Sequence, residues 1–150
     1  MDANGNSEAR IAWGNEFWLE DTPGGTLTEL GEVTGIPTDS DEAEEVDVTH
    51  FKSPERRRET KAGLSTPSSG DLMINYLPGS PTEAILRQAA ADRLVRAYRE
   101  IIPDEAGDAD WQVDGYLWVK SRGRPLEVGG VMRQTISVKF TGSRSEQAAS

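Results

Sequence analysis

The chain has 150 residues and a formal net charge of −10, from 16 Lys+Arg against 26 Asp+Glu, which bounds it to about one domain. That acidity argues against direct affinity for nucleic acid or an anionic membrane, both of which need clustered Lys and Arg. With no cysteine there is no disulfide, thiolate metal site or Cys nucleophile, and no apolar run nears the roughly 20 residues of a membrane span.

Met1 to Ala9 is polar and acidic, without the charged-then-apolar layout of a secretory leader. Residues 1–10 are expected to form a flexible arm and residues 143–150 a flexible tail, because neither offers side chains to bury. Residues 11–142 then form the folded domain. The chain's 15 Gly and 8 Pro cluster in turn signals such as Pro23-Gly24-Gly25 and Pro78-Gly79-Ser80-Pro81. Short segments at that spacing favour a β-rich sandwich or barrel over a helical bundle.

Period-two alternation predicts the strands. Glu16 to Leu19 is a short first strand, and Thr26 to Gly35 alternates weakly, since Leu27 and Leu30 would fall on opposite faces. Glu45 to His50 places Val46 and Val48 on one side. Asp71 to Leu77 is a more apolar strand. Ser80-Pro81-Thr82-Glu83 then reads as a capping box opening a helix, with Ile85, Leu86, Ala89 and Ala90 as its apolar stripe. Leu94 to Ile102 fits either a continuing helix or a strand, ended by Pro103. Trp111 to Val119 places Trp111, Val113, Gly115, Leu117 and Val119 opposite Gln112, Asp114, Tyr116 and Trp118. Thr135 to Thr141 turns Ile136, Val138 and Phe140 inward.

Catalytic chemistry is sparse. The one histidine, His50, has no Gly-x-Ser-x-Gly elbow beside it, and no Gly-rich phosphate loop is present. Asp104 to Asp110 is acid-rich, but its spacing fails the calcium-loop pattern, so it reads as a solvated hairpin turn. No catalytic residue, metal site or cofactor is expected. Two charge clusters stand out instead. Asp39, Asp41, Glu42, Glu44, Glu45 and Asp47 are followed closely by Arg56, Arg57, Arg58 and Lys61. They are either exposed loop faces or complementary surfaces that meet on different copies of the chain.

The run Glu45-Val46-Asp47-Val48-Thr49-His50, then a basic loop, then Gly70-Asp71-Leu72, resembles the tail tube (major tail) proteins of long-tailed bacteriophages in the lambda-like group. Gly31-Glu32-Val33-Thr34 before it, Asn75-Tyr76-Leu77-Pro78-Gly79 and the capped helix after it, Asp114-Gly115-Tyr116-Leu117 and the final strand to Gly142 keep the family's order from about Phe17 onward. The dense acidic run departs from the pattern. The resemblance implies a β-sandwich or flattened barrel with one flanking helix, in which Leu94 to Ile102 is a strand. It also implies hexameric rings stacked into a tube, found in the virion tail and made in the host bacterial cytoplasm. Tape-measure, tail tip and tail terminator proteins are the partners it implies, with no enzymatic activity and no membrane.

A folded chain of this size has a radius of gyration of about 15 Å, too small to enclose a DNA duplex alone. An acidic wall would repel phosphates and let DNA slide without specific binding, and Asp47, Asp71 and Asp114 are the expected lumen-lining residues. The Phe51–Pro67 segment is long for a hairpin connection and is expected to reach a neighbouring copy. There Arg56, Arg57, Arg58 and Lys61 would meet Asp39, Asp41, Glu42, Glu44 and Glu45. The alternatives are the inner tube of a contractile tail or secretion system, or a monomeric carbohydrate-binding sandwich. The latter would use Trp13, Trp18, Trp111 and Trp118, of which at least two are expected in the core.

Overall fold

The computed structural model describes residues 1–149. Its strands are β1 (Glu16–Glu20), β2 (Leu27–Glu29), β3 (Val33–Gly35), β4 (Glu42–Asp47), β5 (Thr60–Thr66), β6 (Ser69–Asn75), β7 (Arg96–Pro103), β8 (Ala109–Gly123) and β9 (Arg133–Ala148), with one α-helix, α1 (Pro81–Asp92). Seven strands form one antiparallel sheet in the order β2-β1-β7-β8-β9-β6-β3, curled into a half-barrel, while β4 and β5 pair only with each other.

Alternation makes the core. Phe17 and Leu19, Leu72 and Ile74, Leu117 and Val119, and Ile136, Val138 and Phe140 all turn to one face, where Leu86 and Ala89 of α1 cover them. Tyr98 of β7 stacks on Phe17 at 5.5 Å and meets Phe140 at 5.4 Å, tying three strands together. Burial pushes the Tyr98 hydroxyl up to about 12, helped by nearby carboxylates. A Cβ at Gly115 would sit 2.9 Å from the Tyr98 ring, so the ring occupies the space a side chain there would take.

The helix begins where its signals place it. The Ser80 hydroxyl accepts from the Glu83 N–H at 3.2 Å. The return half of the capping box is absent, because the Glu83 carboxylate is drawn inward to Arg122 at 2.9 Å. A left-handed Arg93 (φ 53) ends the helix by donating to the Ala89 carbonyl, and β7 follows as a strand.

Three expectations are corrected. Thr26 to Gly35 is two strands, not one. Leu30 enters the core and Glu32 turns left-handed (φ 62), so β2 and β3 lie at opposite edges of the sheet. Residues 143–148 are not a tail but the end of β9, with Ser145 opposite Asp114 and Ala148 opposite Trp111. Their side chains stay exposed; backbone pairing to the long β8, rather than burial, holds them. Residue 150 lies outside the described residues. Finally, no tryptophan joins the core. Trp18 and Trp118 each sit between two core residues in sequence and so point to the other face, while Trp13 is 86% and Trp111 39% exposed. Residues 1–10 contain no helix or strand, and Arg10 is joined to Asp110 at 3.2 Å.

Candidate assembly surfaces

Strands β4 and β5 form a two-stranded arm in which every residue is exposed. Val46 pairs with Lys61 and Asp47 with Thr60, while Glu42 and Glu45 lie opposite Thr66 and Ala62, so the acidic cluster lines one strand of the hairpin and the arginines lie in the segment that connects the two strands. Arg58 reaches Asp47 at 3.1 Å. The Asp47 carboxyl lies below its ordinary range because Thr49 donates to it and Arg58 stands beside it. His50 lies 3.4 Å from Glu59 in the connecting loop, a structural position with no partner set for catalysis.

The long segment from Phe51 is therefore half strand and half loop. Arg56 and Arg57 lie exposed in it, Arg56 with left-handed backbone at φ 60. Leu64 and Phe51 are fully or almost fully exposed, and Glu42, Glu44, Glu45 and Lys61 make no ion pair among the described residues. Asp39 departs from the expected contact set. It is buried at the root of the arm, where its carboxylate accepts from the Ser68 N–H at 3.0 Å and hydroxyl at 3.3 Å. Asp41 lies 3.8 Å from Arg144, whose guanidinium also donates to the Asp39 carbonyl. Sequence reasoning missed Arg144 because it falls in the segment read as a tail.

The outward face of the large sheet holds the other two expected lumen residues. Asp71 is exposed and accepts from the Ser137 hydroxyl at 3.2 Å. Asp114 is held by Arg99 at 2.8 Å and by Gln112 at 2.6 Å, so its charge is neutralised in place. Asp47 sits on the arm, away from this face. Two further carboxyls are held above their ordinary range by partial burial, Glu100 with Glu146 beside it and Glu29 with Glu16 beside it.

No group of three or more metal-ligating side chains converges among the described residues. The Asp104–Asp110 segment is a turn: Asp104 accepts from the Ala106 and Asp108 N–H groups at 2.9 Å each. Among the described residues no helix is long and apolar enough to cross a membrane. What the described residues present is sheet edges and an uncovered two-stranded arm.

No curated protein matches the sequence significantly. Among solved structures, the chain is similar to a subunit in the tail of an empty gene transfer agent particle refined with C6 symmetry. The TM-score is 0.72 at 23% identity, over 93% of this chain and 100% of the other. It is also similar to the SPP1 tail tube, with TM-score 0.64, 14% identity and coverage of 90% and 77%. A third likeness is to a chain of the PVC sheath-tube complex, an extracellular contractile injection system, with TM-score 0.62, 14% identity and coverage of 90% and 88%. Residues 20–147 match the family model for the lambda phage tail tube protein. With that match spanning most of its length, the chain belongs to the lambda phage tail tube protein family, a family of structural virion proteins and not of enzymes.

Proposed function

We propose that this protein assembles as hexameric rings that stack into the tail tube and conduct DNA into a host cell. The observation that carries the reading is the β4–β5 arm. An isolated two-stranded ribbon is marginally stable in water, and here every residue of both strands is exposed. A second copy supplies the missing cover. The apolar Leu64 and Phe51 bury against it, while Arg56 and Arg57 meet acids of that copy. Sixfold symmetry is taken from the similar gene transfer agent tail.

In this reading, tape-measure, tail tip and tail terminator proteins are the further partners. The bore draws its negative character from Asp71 and from the summed charge of the chain, because Asp114 and Asp47 each carry their own guanidinium. The likeness to a contractile sheath-tube complex supports a related inner tube as the second reading, and the family match favours the lambda-like tail.

Negative-stain electron microscopy of concentrated purified protein is the direct test. Rings and tubes with an axial hole are expected. Arg56→Glu/Arg57→Glu should abolish them while leaving the thermal melt of the monomer unchanged. Wild-type protein that stays monomeric at every concentration refutes the reading.

A further inference from the structure

The two ends of the large sheet differ in charge and in shape. At one end the turn Asp104–Asp110 carries four carboxylates and no cation. It borders a cleft of about 710 Å³ whose apolar wall includes Ile11, Trp13, Ile102 and Pro103. Ile11 and Trp13 are 93% and 86% exposed, so this apolar wall is left uncovered. Arg10 answers only Asp110, at 3.2 Å.

At the other end, Lys120 to Arg133 holds four cations against one carboxylate. Arg122 is taken up internally by Glu83, but no carboxylate of the described residues pairs with Lys120, Arg124 or Arg133. Between them projects a loop turned by Gly129 (φ 80), on which Val128 is 108% and Val131 65% exposed. One end is thus an acidic cleft with an apolar wall, and the other a basic knob with an apolar tip.

The knob cannot reach the cleft of its own chain. Both are joined by β8, whose 15 residues span about 45 Å at about 3.3 Å each. We propose that the β8–β9 loop of one copy seats in the acidic cleft of the next, Val128 against Ile11 and Trp13, with Arg124 and Arg133 beside Glu105 and Asp108. Such a contact is heterologous: copies displaced along the strand repeat it without closing, which builds a filament rather than a ring. It rests on the assembly reading above and names the surfaces through which rings add to one another. Charge complementarity selects the second copy as occupant, since like ends repel and only opposite ends attract.

The test is a charge exchange followed by electron microscopy and sedimentation at about 0.1 M salt. Arg124→Glu/Arg133→Glu should raise the protein concentration needed for tubes by on the order of tenfold or more, and so should Glu105→Lys/Asp108→Lys. Both pairs combined in one chain should restore tubes. Arg124 also donates to the Tyr76 hydroxyl at 2.6 Å, so Val128→Asp, whose side chain touches only solvent, serves as the second variant and should give rings without tubes. If wild-type tubes form and none of these variants alters them, this contact is wrong while the assembly reading stands. A combined variant that folds but does not recover likewise overturns the contact. Wild-type protein that forms no tube overturns both.

Discussion

The clearest physical test of the fold is Arg96. Its side chain has no exposed surface. The guanidinium donates to the Glu20 carbonyl at 2.8 Å, the Asp21 carbonyl at 2.7 Å and the Asp92 carboxylate at 2.8 Å. One side chain therefore joins the end of β1, the end of α1 and the start of β7. Arg96→Ala removes all three bonds and leaves two carbonyls and a carboxylate without their donor. Breaking a buried pair costs about 3–5 kcal/mol. The Asp92 side chain keeps 25% exposure and regains some water, which sets the expectation near the lower end, about 3 kcal/mol. At about 2–4 °C per kcal/mol for a chain of this length, Tm falls by roughly 6–12 °C. Arg96→Lys keeps the charge but not the planar fork, and should lose about half as much. Urea unfolding followed by circular dichroism measures both variants. A change below about 1 kcal/mol at unchanged m-value would show that water replaces the guanidinium without penalty, contradicting the argument.

Glu100→Gln should make the protein more stable at pH 7. Partial burial and Glu146 hold the Glu100 carboxyl above 4.5, so the folded state binds its proton more tightly than the unfolded state does. The stability this group contributes is full below the ordinary value of 4.5 and is lost as pH rises through the raised one. Melts from pH 4 to 7 should show the wild type losing ground to Glu100→Gln across that window, and parallel curves would refute the assignment. Ser80→Ala removes the acceptor for the Glu83 N–H and should cost about 1 kcal/mol, read from the same urea titration. Ser80→Asp should lose much less.

Much of this architecture could be read from residue patterns. Ile136, Val138 and Phe140 alternate cleanly and are core, and the Ser80-Pro81 signal opens the helix at its true first turn. Patterns of side-chain burial failed where backbone pairing decides. Ser143 to Ala148 has no apolar alternation, yet β8 is long enough to pair with it. The tryptophans misled for a related reason: size suggests burial, but Trp18 and Trp118 fall on the wrong parity beside Phe17 and Leu117. At the assembly surfaces, the clusters at Asp39 to Asp47 and Arg56 to Lys61 were visible as charges. Their place on one hairpin, with Arg58 closing onto Asp47, was not, because register is a long-range property. The Asp39 carboxylate looked like its neighbours and became buried only because Ser68 folds back onto it.

The separation of aromatic residues gives the molecule two independent optical reporters. Tyr98 is clasped between Phe17 and Phe140, so its contribution to near-ultraviolet dichroism is lost only when the interior comes apart. Trp13 and Trp111, at the surface, change their emission when water is displaced from the outside. Following both in one cuvette distinguishes a chain that has lost its packing from one that has merely lost its neighbours.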